Sequence, residues 1–221
     1  MKHLSLFAVM LLVAALTPAG DAAGTADLVP YQGLKDQFVI SIPENWHVYD
    51  QNAALHRPPG PFGVVQFSLL DVAAVQERLN TGDKDQAMKD FTGIVRGETP
   101  SFAVDRSPSE KGMACDGFSE KALKGLVKNI ETDAKAGNPS TKVADPEVAA
   151  VDLGGCKGQR VRLRVSPSRG EAWIHLVYAV SDGTTLYHFF VRNPESLFEK
   201  NRPDFESAVH TLIFSRAKSP A

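Results

Sequence analysis

The sequence has few cysteines, little net charge and only one long hydrophobic run. Its two cysteines, Cys115 and Cys156, form neither a C-x-x-C motif nor part of a cluster of closely spaced metal ligands. This pattern argues against a redox motif or a structural zinc site. The 24 basic and 26 acidic residues leave a net charge of −2. The overall charge therefore gives no reason to expect nucleic acid or an anionic membrane as a partner.

Motifs of known enzyme classes are also missing. The segment DGFSEKA (116–122) lacks the second glycine of a G-x-S-x-G nucleophile elbow, LGGCKGQ (153–159) is not a phosphate-binding loop, and no H-E-x-x-H occurs. The sequence assigns no catalytic residue, no cofactor and no metal ligand. A hydrolase without a recognisable motif stays open as an alternative function.

The one long hydrophobic run lies at the N-terminus. Lys2 precedes an apolar stretch over residues 4–16, and small residues follow up to Ala23. This order is typical of a secretory signal, and the run is shorter than the about 20 residues that span a bilayer. The sequence predicts a signal peptide over 1–22, a short arm over 23–35 and a single domain over 36–216, which is periplasmic or secreted.

Export would place both cysteines in an oxidising compartment, where an even pair on a small domain favours a disulfide. A bond between Cys115 and Cys156 would close a long loop and stabilise the fold by about 4 kcal/mol. A redox or metal role for the pair is the alternative.

The stretch FVISIPENWHVYD (38–50) predicts a strand that stops at a proline. Phe38, Ile40 and Ile42 alternate with smaller or polar residues, and Pro43 lacks the N–H that would continue the ladder. Trp46 then begins a second strand, which predicts a hairpin corner with the indole packed over the first strand. A tryptophan that stacks on a ligand is the alternative.

Two segments carry apolar residues at helical spacing, residues 83–95 and 119–136. The polar face of the second segment is expected to carry three lysines, Lys121, Lys124 and Lys128. This face is interpreted as a solvated helix surface, with a docking patch as the alternative.

A further helix is expected near the C-terminus. Pro194 is a favoured first helical residue, and Asn193 before it could act as the cap. A second helical piece is predicted after Pro203, and the segment LIF (212–214) is expected to form a short strand or a helix end.

Three strands are predicted between the second helix and this C-terminal helix. The Asp182-Gly183 pair is a strong hairpin signal. A turn with an even number of residues places six large apolar side chains on one face. These are Ile174, Leu176, Tyr178, Tyr187, Phe189 and Val191. The preceding strand is expected to add Val161, Leu163 and Val165 to the same face.

The opposite face of these strands is the only surface that indicates chemistry. His175 and His188 are expected there as diagonal neighbours about 7 to 8 Å apart, with Arg162 beside His175. Two imidazoles in a cationic setting favour an anion over a metal ion, since no carboxylate lies on these strands. The alternative is a half-solvated face on which arginine stems cover aromatic rings. The candidate ligand-binding residues are Arg162, Arg164, Trp173, His175, His188 and Arg192.

The order of these patterns resembles the PsbP/Mog1-like superfamily, including its exported bacterial members. The resemblance rests on Phe38, Pro43 and Trp46 in the opening F-x-I-x-I-P-x-x-W, on the late hairpin IHLVYAVSDGTTLYHFFV (174–191), and on the closing helix with LIF. It covers about residues 31–215. It implies an α/β (α+β) protein, an α/β/α sandwich with a central, mostly antiparallel sheet.

Two features depart from the family pattern. Asn45 stands where a glycine often precedes the tryptophan, and an added stretch surrounds Cys115. Members include extrinsic photosystem proteins, a nuclear-transport regulator and exported proteins of unknown role, and most are binding or assembly factors. No functional residue of the family can be carried over to a matching position.

Three functions follow from these observations. The first is an exported, non-catalytic domain that binds a protein partner or assists assembly of a periplasmic complex. The second is a module that binds a small anion or a metal ion at the face with the arginines and histidines. The third is an unrecognised hydrolase.

Overall fold

The fold was analysed in a computed structural model, which describes residues 27–33, 38–50, 63–82, 84–135, 141–144 and 146–214. The predicted signal peptide lies outside the described residues. In the described part, no helix is long and apolar enough to cross a membrane.

The described residues form thirteen strands and four helices. The strands are β1 (Leu28–Gly33), β2 (Phe38–Pro43), β3 (His47–Asp50), β4 (Gly63–Ser68), β5 (Ser101–Pro108), β6 (Met113–Ala114), β7 (Gly117–Phe118), β8 (Lys142–Val143), β9 (Glu147–Leu153), β10 (Cys156–Ser166), β11 (Trp173–Ser181), β12 (Thr185–Pro194) and β13 (Ile213–Phe214). The helices are α1 (Val72–Thr81), α2 (Lys84–Val95), α3 (Glu120–Lys135) and α4 (Glu195–His210).

A large antiparallel sheet forms the centre of the molecule. Its strands follow the order β3-β4-β5-β12-β11-β10-β8, and β9 also pairs with β10. A smaller sheet has the order β1-β2-β13, and β6 pairs with β7. The segment predicted as an arm over 23–35 thus contains strand β1, which pairs with β2 along its whole length.

Helices cover the large sheet on both faces. On one face, Phe198 and Phe205 of α4 and Phe38 of the small sheet share a buried cluster with β4, β5, β11 and β12. On the other face, Ala122 and Leu126 of α3 pack against β11 and β12. The predicted α/β/α sandwich is therefore confirmed, since apolar side chains on both faces of the sheet need a cover.

Trp46 is buried, but it does not seal a hairpin. Strands β2 and β3 lie in different sheets, so Pro43 ends one sheet and the chain crosses to the other. The crossing is a tight turn in which the Trp46 N–H donates to the Pro43 carbonyl at 2.9 Å. The indole lies 5.7 Å from the Phe102 ring. Packing of Trp46 in the core is confirmed, and the predicted hairpin corner is wrong.

The helices differ from prediction in two places. Helix α1 was not predicted; Asp71 caps it by accepting a hydrogen bond from the Ala74 N–H at 3.0 Å. Helix α4 is one continuous element with Pro203 inside it, instead of two pieces.

Asn193 does not cap α4. Its amide donates to the carbonyl of Gly97 at 3.1 Å, and Asn201 of α4 donates to the same carbonyl at 3.1 Å. Gly97 has φ = 68°, and a Cβ there would lie 2.7 Å from the Asn193 amide nitrogen. The loop after α2 is therefore held to α4 by a contact that only glycine permits.

The two cysteines form a disulfide, as predicted. Cys115 lies in the turn between β6 and β7, and Cys156 is the first residue of β10. The Lys157 N–H also donates to the Cys115 carbonyl at 2.8 Å. The β6–β7 turn is thus fixed to the hairpin between β9 and β10.

We expect Trp46→Ala to lower the free energy of unfolding by about 3 to 5 kcal/mol, because it leaves a cavity beside Phe102 in the core. Denaturant titration measures the loss. Val48→Ala, at a residue that is 36% exposed, is the control and should cost under about 1 kcal/mol. A similarly small loss for Trp46→Ala would contradict the packing role.

We expect the disulfide to be present in protein purified without reductant. The intact mass of the chain should be lower by two hydrogens than after reduction, and thiol labelling without reductant should fail. Replacing both cysteines by serine should cost about 4 kcal/mol, because the unfolded chain regains the entropy of a long loop. Two readily alkylated thiols in the untreated protein would reject the crosslink.

Candidate functional site

The register of the β11–β12 hairpin places the large apolar residues as predicted. Ser181 pairs with Leu186, and the turn between them has an even number of residues. Ile174, Leu176 and Tyr178 therefore share the α4 face of the sheet with Tyr187, Phe189 and Val191, and all six are buried.

The preceding strand lies in the opposite orientation to the predicted one. Leu163 pairs with His175 and Val161 pairs with Val177, so the apolar residues of β10 face α3. Arg162 and Arg164 consequently lie on the α4 face. The alternating pattern could not decide between these orientations, because both faces of the sheet are covered and either can accept the apolar set.

The two candidate arginines on the α4 face, Arg162 and Arg164, already have partners. Arg162 donates to Glu147 at 2.7 Å, and its guanidinium lies 5.5 Å from the centre of the Phe198 ring. Arg164 makes a two-bond ion pair with Glu195, with both distances 2.8 Å. The structure therefore separates Arg162 and Arg164 from the histidines by the thickness of the sheet.

The other four candidate residues lie on the α3 face, but they do not form one group. His175 pairs directly with Arg192, whereas His188 pairs with Ala179. The histidines are thus four strand positions apart, about 13 Å, instead of being diagonal neighbours. Trp173 packs against the buried cluster that contains Val165.

The spacing of the histidines follows from the hairpin turn. The Asp182 carboxylate accepts hydrogen bonds from the backbone N–H groups of Thr184 and Thr185, each at 2.8 Å. These bonds stabilise a four-residue turn over residues 182–185. A hairpin with Asp-Gly alone in its turn would have two residues there. The longer turn shifts β12 by two positions along β11, which moves the histidines apart.

A cleft of about 280 Å³ lies between α3 and the large sheet and contains both histidines. Its floor is apolar, with Val177 and Phe190 at the centre. Its polar wall consists of residues on four elements and one loop, namely Asp105, Ser107, Glu110, Asn129, Asp133, His175, His188 and Arg192.

The three carboxylates of this cleft were not predicted as site residues. Asp105 faces the cleft because Phe102, Val104 and Arg106 of the same strand alternate toward the opposite face. The position of Asp133 could have been predicted from the sequence. It lies seven residues after Leu126, which corresponds to about two helical turns, and is therefore on the apolar face of α3.

Both histidines are neutral at physiological pH. Burial lowers the pKa of His188 to about 4, although the Asp133 carboxylate acts in the opposite direction. Burial and the nearby Arg192 charge lower the pKa of His175 to about 4. An anion site was predicted from several positive charges. Arg162 and Arg164 lie on the other face and both histidines are neutral, so among the predicted residues only Arg192 brings a positive charge to this cleft.

The acidic end of the cleft has an unusual polar environment. Asp105 lies directly opposite His188 in the register. Burial raises the pKa of Asp105, and the Asp133 charge acts in the same direction, against a hydrogen bond from the Arg106 backbone. Nε2 of His188 is buried without a hydrogen-bond partner. In the described part of the chain, no three His, Cys, Asp or Glu side chains come together as a metal site would require.

The low pKa of both histidines makes stability depend on pH. In the unfolded chain each histidine binds a proton below about pH 6.5, whereas in the folded protein it does so only near pH 4. The free energy of unfolding is therefore highest above pH 6.5 and decreases as the pH falls below that value. We expect each histidine to remove about 2 kcal/mol between pH 7 and pH 5. Denaturant titration should show a smaller loss in His188→Gln than in the wild type. Equal pH dependence in wild type and His188→Gln would contradict this assignment.

Comparison with known proteins gives a match at the level of structure. No protein-family model and no curated protein sequence matches the chain. Two solved structures are similar at TM-scores below 0.5 and do not bear on the fold. One is a protein from Bacteroides thetaiotaomicron (TM-score 0.44, 14% identity, 86% of this chain and 49% of that chain). The other is a protein of unknown function from Pseudomonas aeruginosa (TM-score 0.38, 9% identity, 88% and 99%).

A third solved structure is more similar. Cyanobacterial PsbP (CyanoP) from Synechocystis sp. PCC 6803 superimposes with a TM-score of 0.54 at 15% sequence identity, over 89% of this chain and 98% of that chain. The match agrees with the resemblance of the opening strand, the late hairpin and the closing helix. At this identity it shows the fold alone: the chain has a PsbP-like fold.

Proposed function

We propose that the chain is an exported, non-catalytic domain that binds a protein partner in an oxidising compartment, and that an extended segment of the partner adds to the free edge of β9. The PsbP-like fold supports a binding role by resemblance, and the disulfide fits an oxidising compartment. The observation that carries the proposal is the edge of β9 with the apolar groove beside it.

Strand β9 pairs on one side only. Its seven residues, Glu147–Leu153, pair with β10, and among the described residues no strand pairs with its other side. Its sequence EVAAVDL contains no lysine or proline, the residues that commonly protect the edge of a sheet. Residues 147–150 are exposed on both faces. The outer edge therefore presents backbone N–H and C=O groups to an incoming strand.

A shallow groove lies between β9 and α3. Val148, which is 40% exposed, forms one side, and Leu123 and Val127 of α3 form the other. Because alternate side chains of a strand point to the same face, every second residue of an added strand would lie over this groove. Apolar residues are expected at those positions of the partner.

The rim of the groove indicates the charge of the partner. Lys124 and Lys128 lie along the α3 side, and Glu131 lies at one end. Lys124 forms an exposed ion pair with Glu120, which costs little to rearrange. The occupant that fits best is an extended segment with alternating apolar residues and an excess of acidic side chains.

We propose no catalytic role for the cleft. Among the described residues, Nε2 of His188 has no hydrogen-bond partner. The low pKa of His188 also makes it a weak general base near neutral pH.

Site-specific photo-crosslinking tests the docking surface. A photo-reactive residue at position 148 in producing cells should give a discrete adduct, whereas one at the exposed Lys200 of α4 should not. The partner identified in the adduct is then purified, and its affinity is measured for wild type and Val148→Lys. We expect at least a tenfold loss, because the lysine places a charge in the apolar groove.

Met88→Lys is the matched control, since Met88 is an exposed apolar residue on α2, outside the groove beside β9. It should leave the affinity unchanged. An adduct that forms equally at both crosslinking positions, or a partner that binds Val148→Lys as well as wild type, would reject docking at β9.

A further inference from the structure

The cleft between α3 and the large sheet contains charges of both signs that lack partners. The Arg192 guanidinium lies 5.4 Å from the centre of the Phe190 ring, and no ion pair to Arg192 occurs within the described ranges. Asp105 accepts a hydrogen bond from the Arg106 backbone, and among the described residues neither Asp105 nor Asp133 forms an ion pair with a cationic side chain. Each group is thus available to a ligand of opposite charge.

The two signs of charge are separated along the cleft. Arg192 and His175 mark one end, and His188, Asp105 and Asp133 mark the other. Val177 and Phe190 pair with each other between the two ends and form an apolar floor. The stacking of Arg192 on Phe190 moves the positive charge from its own strand position toward the middle of the cleft.

Neutral His188 adds a directional group at the acidic end. Its buried Nε2 has no hydrogen-bond partner, and a buried polar atom without a partner is costly. Between two carboxylates, a neutral imidazole nitrogen can accept a hydrogen bond from an ammonium group. The acidic end therefore combines two negative charges with an acceptor.

We infer that this cleft binds a small zwitterion, with its ammonium group at the end lined by Asp105, Asp133 and His188 and its carboxylate at Arg192. The volume of about 280 Å³ lies near the lower limit of small-molecule pockets, which fits a free amino acid, an ω-amino acid or a dipeptide. The inference is independent of the docking surface at β9, which lies along the other side of α3.

Ligands with one charge fit less well. An anion at Arg192 would be repelled by Asp105, Glu110 and Asp133, which line the same cleft. A simple amine would leave Arg192 without a partner. A metal ion would lack its ligands: Asp105, Asp133 and His188 line the same end of the cleft, but in the described ranges no three such side chains lie close enough to ligate one ion.

Calorimetry with a matched set of small molecules tests the inference. The probes are free glycine, 4-aminobutyrate and 6-aminohexanoate, and the controls with a single charge are hexanoate and hexylammonium. At pH 7, we expect at least one zwitterion to bind at least tenfold more tightly than either control. The best chain length then measures the separation of the two charged ends.

Two substitutions assign the ends, and both are at exposed residues, so the fold should be retained. Asp133→Asn should remove the advantage of the best zwitterion over hexanoate, and Arg192→Gln should remove its advantage over hexylammonium. The controls are Glu131→Gln, on the same helix outside the cleft, and Arg169→Gln, in the loop between β10 and β11; both should bind as wild type.

Three results would overturn the inference. The first is no measurable heat with any zwitterion. The second is binding that neither Asp133→Asn nor Arg192→Gln weakens. The third is hexanoate or inorganic phosphate binding as tightly as the best zwitterion, which would indicate an anion site at Arg192.

Discussion

Strand β11 is buried over eight of its nine residues, so its surroundings must cover both of its faces. The register of its pairing with β12 determines which side chains lie together on each face of the sheet. The α4 face receives large aliphatic and aromatic groups, and the α3 face receives a mixed set that includes two histidines, Val177 and Phe190. Two helical layers and the small sheet follow from this one constraint, because an uncovered face would leave apolar surface in water.

The sequence predicted the elements that depend on local pattern. The opening strand, the two helices near residues 83–95 and 119–136, the late hairpin and the burial of Trp46 are all local signals of period or turn chemistry. It could not predict how β10 faces, since apolar residues suit both covered faces. It also could not predict the length of the turn at Asp182, whose side chain stabilises a longer turn than the Asp-Gly pair alone favours.

Those two ambiguities explain why the candidate site was only half predicted. Strand β10 has the opposite orientation to the predicted one. Arg162 and Arg164 therefore lie on the α4 face, where they form ion pairs with Glu147 and Glu195. The longer turn separates His188 from His175, and the pairing of β12 with β5 places His188 opposite Asp105. The carboxylates arrive from β5 and α3, and only the tertiary fold brings these elements to the hairpin. When the residues of a site come from segments far apart in the sequence, the spacing of residues within one segment does not predict the site.

The disulfide gives the two ends of β9 different anchors. At the Leu153 end, the strand continues through a tight turn into Cys156, which is bonded covalently to Cys115. At the Glu147 end, an exposed ion pair with Arg162 adds to the backbone ladder, and the Glu147 side chain is 65% exposed. Local unfolding of this edge should therefore start at Glu147 and stop before the crosslink, so that amide hydrogens exchange fastest at the end of β9 farthest from the sulfur atoms.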